Sequence, residues 1–454
     1  MKKFFFQKML QKEGWLFNTK ISIDKEGKIK EIQKNYQGAD YEQLIPIAIP
    51  GIPNAHSHAF QYAMAGMTEN HPYNSQSDFW SWRKNMYDFA LNIDPDDLQN
   101  IATMLYSEML SNGYTHVAEF HYLHHDKNGQ PYSSLSEMGE RILIAGKNAG
   151  IDVTLVPVFY NQGNFNTAFH KKQRRFINKN SHDYFKLIES TRSKCKLYNS
   201  NLGLGIHSIR AVKDFMITEL NDFNQNKYPF HLHISEQLKE VEDCLNNYSL
   251  RPVEWLYSNF EVGENHHLVH ATHLNKKEII LITQNKSNVI LCPTTEGNLA
   301  DGFFKLKEFQ ENKGNWCLGS DSHIGLSPFE ETRLLDYGLR LQTNSRKTFY
   351  NNETANASHL VMNKIFFNGM KAMGIERKNY FEKECSLNFI EIDEKRPLIK
   401  SSENEDLLNM IFYTGDIRNI KSVYVKGLNR TEINKNNDFS KNYYQTIRKI
   451  KEKM

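Results

Sequence analysis

Eight segments of this 454-residue chain have the composition of short β-strands, and helical patterns lie between them. Repeated alternation of strand and helix is typical of a parallel barrel, because each helix returns the chain to the start of the next strand. The sequence therefore predicts an α/β fold, a (β/α)8 TIM barrel. The predicted strands run from Ile47 to Pro53, Thr115 to Phe120, Val153 to Tyr160, Leu202 to Ile209, Pro229 to Ser235, His267 to Ala271, Val289 to Pro293 and Cys317 to Asp321.

Local signals delimit two of the intervening helices. Asp94 can cap a helix predicted over Pro95 to Asn112, and Gly113 can end it. A second helix is predicted over Asp214 to Asn226.

The two ends of the chain contain strands that the barrel does not use. Trp15 to Asp24 and Lys28 to Ile32 alternate around a turn, and Leu387 to Ile392 and Ser422 to Gly427 have strand character. Neither end alone supplies enough strands for a stable sheet. We therefore expect a small β-sandwich module built from both termini, with the first eight residues as an edge strand. The predicted divisions are residues 1–48 and 381–454 for this module, including a surface helix near the C-terminus, and residues 49–380 for the barrel.

Charge and cysteine content exclude several classes of protein. The 56 basic and 53 acidic side chains are interleaved and leave a net charge of +3, so no basic face for nucleic acid is indicated. No stretch approaches the roughly 20 apolar residues that a transmembrane helix needs. The five cysteines are widely spaced and contain no Cys-x-x-Cys pair. We expect a cytoplasmic protein that binds neither nucleic acid nor membrane.

Potential metal ligands follow several of the predicted strands. His56 and His58 come after the first strand, and because side chains at i and i+2 of an extended backbone point to the same side, their rings can bind one cation. His233 lies near the end of the fifth strand and Asp321 at the end of the eighth. The ends of barrel strands share one mouth. Three imidazoles and a carboxylate would suit Zn²⁺ with room for a water molecule, whose pKa the metal lowers toward about 7.

Other titratable residues fall at the same strand ends. Glu236 follows His233, and His270 ends the sixth strand, so both could transfer protons in a metal-assisted hydrolysis. Each of these residues alone has an ordinary structural explanation, but their common location favours a functional site. We expect His231 to face the side opposite His233, toward the barrel helices, as a hydrogen-bonded core histidine, and His121 to be able to border the pocket. The remaining paired histidines are interpreted as surface or strand-edge residues: His124, His125, His266 and His267.

Longer strings of the sequence resemble the amidohydrolase superfamily, in the branch that hydrolyses C=N bonds with one metal ion. His207 stands where binuclear members have a carbamylated lysine, at the end of the fourth strand. Within that branch the match is closer to the formimidoylglutamate deiminases, which convert N-formimidoyl-L-glutamate to N-formyl-L-glutamate and ammonia in histidine degradation. The similar strings are at residues 53–61, 65–69, 79–83, 118–125 and 292–299.

This resemblance implies roles for the site residues. One Zn²⁺ per chain would be held by His56, His58, His233 and Asp321. Asp321 would also accept the proton of the attacking water, His270 would orient that water, and Glu236 would carry a proton to the leaving nitrogen.

The resemblance also implies a small-molecule substrate with two carboxylates, and a homodimer. Guanidinium groups bind carboxylates in a bidentate manner, which makes Arg83 and Arg210 candidates for substrate recognition. Gln61, Tyr122 and His207 would line the same pocket.

Two other functions remain open from the sequence. A mononuclear-zinc deaminase of a purine, pyrimidine or adenosyl compound would use the same metal chemistry but would need an aromatic or amide cradle instead of arginines. A catalytically inactive amidohydrolase-like scaffold would need none of the metal ligands.

Overall fold

The computed structural model describes residues 1–69, 79–350 and 356–454. Eight parallel strands form a nearly closed barrel, in which each strand pairs with the next along the chain. A parallel bridge between Ser57 and Asp321 brings the eighth strand back to the first. The barrel strands are Ile52–Ser57, Tyr114–His121, Asp152–Phe159, Leu204–Ser208, Phe230–Ile234, His266–His270, Asn288–Leu291 and Asn315–Leu318.

Helices connect the barrel strands, as the alternation predicts. Asp94 caps Pro95–Ser111 in a reciprocal capping box with Asp97, and Gly113 follows with a φ of +99°. The helix that begins at Asp214 ends at Asn224, two residues before the predicted end, because Gln225 adopts a left-handed conformation. The α-helices up to the eighth strand and its connection are Phe79–Ala90, Pro95–Ser111, Glu137–Ala149, Ser181–Leu197, Asp214–Asn224, Leu238–Tyr248, Pro252–Asn259, Lys276–Gln284, Pro293–Asn298, Leu306–Glu311 and Pro328–Thr343.

The predicted first strand, Ile47 to Pro53, is wrong in its bounds because it spans two sheets. Gln43–Pro50 belongs to the sheet built from the termini, and the barrel strand starts at Ile52. The change occurs at Gly51, whose amide donates to the carbonyl of Asn388, whereas the amide of Ile52 donates to the carbonyl of Gly113. A Cβ atom on Gly51 would lie 2.3 Å from the Thr115 side chain, so only glycine permits this close approach. Residues 44–53 are almost all apolar, so the sequence pattern does not show that the pairing strand changes at Gly51.

The terminal sheet is separate from the barrel and combines both ends of the chain, as expected. Its strand order is Leu428–Asn429, Ile420–Val425, Phe389–Ile392, Gln43–Pro50, Lys2–Gln11, Gly14–Ile23 and Ile29–Gln33. The prediction of an N-terminal edge strand is wrong, because Lys2–Gln11 lies inside the sheet and buries Phe4 and Phe6. The divisions at residues 48 and 380 stay predictions.

The last segments close the barrel and complete the chain. Residues 369–374 lie across the starts of several strands, since Gly369 adjoins Pro53 and the Thr154 hydroxyl donates to the carbonyl of Met373.

Within the described residues, no helix is both long and apolar enough to span a membrane. These later helices are Ala357–Asn363, a π-helical turn at Lys364–Asn368, Gly369–Ala372, Pro397–Lys400, Asn404–Thr414, Arg430–Asn437 and Ser440–Lys451.

Candidate active site

Four buried side chains converge at the C-terminal mouth of the barrel. Nε2 of His56 lies 3.1 Å from Nε2 of His58 and 3.1 Å from Nε2 of His233. The Oδ1 atom of Asp321 is 3.4 Å from Nε2 of His56 and 3.1 Å from Nε2 of His58. The potential ligand atoms of these four residues all lie within 4.8 Å of one another. The structure thus brings together the residues predicted to bind metal, which we call the metal group.

The chemistry of the metal group fits a cation. Nδ1 of His58 donates to the carbonyl of Phe120, and Nδ1 of His233 donates to the carbonyl of His207, so their Nε2 atoms carry lone pairs. Lone pairs that converge at this distance repel one another unless a cation lies between them. A tetrahedral ion with Zn–N bonds of about 2.0–2.1 Å places its ligand atoms about 3.3 Å apart. Burial lowers the pKa of His56 to about 3 and thus favours the neutral ring that a metal requires.

Three carboxylates surround His270, which also lies at the mouth of the barrel. Nε2 of His270 lies 3.8 Å from Oε1 of Glu236 and 3.7 Å from Oδ2 of Asp321, and Nδ1 lies 3.2 Å from Oε1 of Glu296. Burial alone would lower the pKa of His270, but the carboxylates of Glu236, Glu296 and Asp321 raise it to about 10. In the metal-free protein His270 is therefore an imidazolium held between carboxylates.

Sequence reasoning did not identify Glu296. Its Oε1 atom accepts from the amide of Cys292 and lies beside His270, so it fixes the ring from the side opposite Glu236. Glu296 lies in the helix that follows the seventh strand. A carboxylate just after a barrel strand could have indicated a residue of the active site.

The backbone is strained where these side chains leave their strands. His270, Ala271 and Asp321 have φ values of 67°, 49° and 47°, in the left-handed region that non-glycine residues seldom adopt. Such conformations persist where the surrounding structure holds them, and they often occur at functional sites.

Two arginines beside the metal group have unpartnered donors. Arg210 is 3% exposed, and its Nε and Nη1 atoms have no hydrogen-bond partner in the described part of the chain. Nη1 of Arg83 is likewise buried and unpartnered, while its guanidinium lies over the rings of Trp80 and Tyr87. Burial lowers the pKa of His207 well below its usual value, and the charges of both arginines lower it further. Both guanidiniums therefore act on the same pocket.

The other three residues predicted to contact substrate are Gln61, Tyr122 and His207, and they contact one another or the metal group. Nε2 of Gln61 donates to the Tyr122 hydroxyl over 2.8 Å. The ring of Tyr122 is centred 5.1 Å from that of His58 and 5.6 Å from that of His207. Tyr122 therefore adjoins both the metal group and His207, and the roles of all five residues in substrate binding stay predictions.

His231 is a buried, hydrogen-bonded core histidine, as expected, but the expectation that it faces away from His233 is wrong. Residues i and i+2 of a strand share a face, so His231 lies on the same side as His233. Its Nε2 atom donates to the carbonyl of Ala372 in the segment that closes the barrel, and its ring contacts that of His267. His231 thus belongs to the buried layer beneath the metal group.

The interpretation of four other histidines as surface or strand-edge residues is wrong as regards the surface, because none of the four is exposed. His124, His266 and His267 are buried, and His125 is half-buried with its Nε2 atom bonded to the carbonyl of Ile177. His121 is buried but lies near Gly139 of a barrel helix, on the face of its strand opposite Phe120. It does not border the metal group.

Comparisons with known proteins agree with this architecture. The sequence matches the model of the amidohydrolase family over residues 47–429. It is 37% identical over 428 residues to a formimidoylglutamate deiminase of Pseudomonas aeruginosa, with 94% of each chain covered. It is 25% identical to a 5-methylthioadenosine/S-adenosylhomocysteine deaminase of Saccharophagus degradans, covering 78% of this chain and 73% of the relative.

Solved structures show the same fold. An amidohydrolase from Brucella melitensis superposes with a TM-score of 0.92 at 33% identity, covering 99% of this chain and 100% of that one. A zinc-bound adenosine deaminase from Xanthomonas campestris superposes with a TM-score of 0.80 at 19% identity, covering 99% and 98%. At this lower identity the likeness concerns the fold alone.

Proposed function

Because this chain belongs to the amidohydrolase family, we propose that it hydrolyses the formimidoyl group of N-formimidoyl-L-glutamate to N-formyl-L-glutamate and ammonia. The observation that carries this proposal is the buried guanidinium of Arg210, which interacts electrostatically with His207 and Glu236 and whose Nε and Nη1 atoms have no hydrogen-bond partner among the described residues. A buried donor without a partner costs about 1–3 kcal/mol, and more if it is charged. A substrate carboxylate would remove that cost. The similarity to the Pseudomonas aeruginosa formimidoylglutamate deiminase supports the same substrate.

The metal group would hold one Zn²⁺, which supplies a Lewis acid and lowers the pKa of a bound water. His56, His58, His233 and Asp321 would be its ligands. The carboxylate of Asp321 would also accept a proton from the attacking water, and the ring of His270, 3.7 Å from Oδ2 of Asp321, would orient that water.

Glu236 would complete the proton transfers. Its carboxylate lies on the opposite side of His270 from Glu296. Water adds across the formimidoyl C=N bond to give a tetrahedral species, and the proton that Asp321 accepts from the water would pass through Glu236 to the nitrogen. As the carbonyl forms, the hydroxyl proton of this species would pass to the same amino nitrogen. The bond to that nitrogen then breaks, ammonia leaves, and the C–N bond to the glutamyl nitrogen is retained.

The glutamyl part of the substrate would lie in the pocket beyond the metal group. Arg210 and Arg83 would each bind a carboxylate, and a bidentate guanidinium pair would fix its orientation. Gln61, Tyr122 and His207 would line the space between the carboxylates and the reacting carbon.

A ring deaminase is the alternative function, and the relative from Saccharophagus degradans gives it some support. A neutral purine would leave the buried Arg210 donors unpartnered, which disfavours it. The inactive scaffold is disfavoured because the described structure retains a complete metal group.

The test is ammonia release by the zinc-loaded protein from N-formimidoyl-L-glutamate, with a chelated sample and a purine nucleoside as controls. Chelator-sensitive release from the formimidoyl compound alone is the expected result. Release from the nucleoside alone would favour the ring deaminase, and absence of bound metal would favour the scaffold.

The proposal extends to the setting of the enzyme. We infer a cytoplasmic homodimer that acts in histidine degradation and binds neither nucleic acid nor membrane. The dispersed cysteines and balanced charge support the cytoplasmic location. Light scattering of the purified protein would give its mass, and a monomeric mass would contradict the dimer.

A further inference from the structure

The barrel closes at a seam where the first and eighth strands meet. The amides of Ser320 and Asp321 donate to the carbonyl of His56 over 3.1 and 3.0 Å, and the amide of His58 donates to the carbonyl of Asp321 over 3.2 Å. The seam therefore carries three of the four residues of the metal group. Whatever fixes the two strands relative to each other also fixes these ligands.

A buried carboxylate holds one side of the seam. Ser57 lies between His56 and His58, and its hydroxyl donates to Oε2 of Glu119 over 2.6 Å. Glu119 accepts two further hydrogen bonds, from the amide of Ala59 over 2.6 Å and from the hydroxyl of Tyr106 over 3.0 Å. Both carboxylate oxygens are therefore used as acceptors, and Glu119 ties the first strand to the second.

The hydrogen bonds continue from Ser57 to the eighth strand. Nε2 of His323 lies 3.3 Å from Oγ of Ser57. Because the Ser57 proton points to Glu119, Nε2 of His323 is the donor, and its Nδ1 atom accepts from the Ser320 hydroxyl over 3.0 Å. Each hydroxyl in this chain donates one hydrogen bond and accepts another.

Asn54 completes the connection. Its Nδ2 atom donates to Oγ of Ser320 over 2.7 Å, and its Oδ1 atom accepts from the amide of Ser320 over 3.0 Å. Both residues are fully buried, as are the other members of the set. We call this set the seam network: Asn54, Ser57, Glu119, Ser320 and His323.

We propose that the seam network consists of positioning residues that set the metal affinity of the site. This inference rests on the metal group of the proposed function, but it does not depend on the substrate. None of its five side chains belongs to the metal group or takes part in the proposed proton transfers. Two of its hydrogen bonds join residues that are 266 positions apart in the sequence. Ser57 lies between His56 and His58, and Ser320 precedes Asp321, so the network adjoins three of the ligands along the chain. The left-handed φ values of Asp321 and His323, 47° and 65°, need such external support.

The test compares Ser57→Ala with a matched control, Ser287→Ala. Ser287 is also a fully buried serine. Its hydroxyl accepts from the Tyr257 hydroxyl and donates to the carbonyl of Gly263, but it lies before the seventh strand. The Kd for Zn²⁺ is measured by chelator competition, and the absorption spectrum of the Co²⁺-loaded protein reports ligand geometry. Ser57→Ala should weaken Zn²⁺ binding by about 10–100-fold, the usual effect of removing an outer partner of metal ligands. Its Co²⁺ bands should also change.

Two further variants keep the inference falsifiable. Ser57→Thr retains the hydroxyl and should restore most of the affinity. His323→Phe keeps a ring but removes both nitrogens, so it should reproduce the effect if Ser57→Ala does not fold.

Equal Zn²⁺ affinity in Ser57→Ala and Ser287→Ala, with an unchanged Co²⁺ spectrum, would overturn the inference. These readouts need no substrate. A parent protein that binds Zn²⁺ but releases no ammonia from N-formimidoyl-L-glutamate would refute the proposed substrate and leave the positioning role supported or refuted by the Kd values alone. A parent protein that binds no metal would overturn both.

Discussion

Replacing Arg210 by methionine should remove most of the activity without removing the metal. Arg210 is buried, its Nε and Nη1 atoms have no partner in the described structure, and it is not a member of the metal group. Nε and Nη1 lie on different edges of the guanidinium, and substrate oxygens that accept from them would form two charge-assisted hydrogen bonds of about 1.5–3 kcal/mol each. Their loss corresponds to about 3–6 kcal/mol, or a fall in kcat/KM of about 10²–10⁴-fold.

The assay is steady-state ammonia release from N-formimidoyl-L-glutamate, with zinc content measured on the same samples. Arg210→Lys keeps the charge but loses the planar fork, so its kcat/KM should lie between those of the parent and Arg210→Met. Arg377→Met is a control, because the Arg377 side chain is also buried and its Nε and Nη1 atoms have no hydrogen-bond partner among the described residues. It differs in that Nη1 forms an ion pair with Oε1 of Glu382 over 3.7 Å, away from the metal group.

An unchanged kcat/KM in Arg210→Met would refute the role of this arginine in recognition. An equal loss in Arg377→Met would show that removal of any buried guanidinium damages the fold. We expect a large fall in kcat/KM for Arg210→Met, a small fall for Arg377→Met, and one zinc per chain in both variants.

Three further predictions concern the metal group, the proton carriers and the barrel. Asp321→Asn should lower both zinc content and activity, the latter by several orders of magnitude, because it removes a ligand and a base; near-normal turnover would contradict the mechanism. Glu236→Gln should retain zinc but lose turnover, and a loss of zinc instead would identify it as a ligand. Burial alone would raise the pKa of Asp152, but Lys426 and His116 outweigh burial and lower it. Its stabilising effect should therefore be fully present above the unfolded pKa of about 3.9 and be lost as the pH falls through the folded value. The difference in unfolding free energy between the parent and Asp152→Asn should shrink on acidification, and a difference that grows would refute this assignment.

The number and order of the barrel strands could be predicted because they follow from local patterns. Each apolar run is short enough for a strand and is followed by a helical pattern, so the alternation is visible without knowledge of the fold. The change of sheet at Gly51 was missed because Gln43–Pro50 and Ile52–Ser57 are both apolar and extended. Their partners, near Asn388 and Gly113, lie far apart in the sequence.

The location and residue types of the metal group were predictable for the same reason, whereas the choice of His233 among the histidines at the strand ends came from the family resemblance. His56 and His58 share a face through backbone geometry alone, and His233 and Asp321 fall at strand ends that a barrel brings to one mouth. The same geometry should have placed His231 beside His233, so that error came from the application of the rule and not from missing information.

The sequence by itself determined the fold class and the ligand types, because strand periodicity and residue chemistry are properties of short segments. The tertiary structure alone decided which polar groups are partnered. It placed Glu296 against His270, left the Arg210 donors unpartnered, and joined Ser57 to His323 across the seam. These relations depend on contacts between distant segments, which local patterns do not encode.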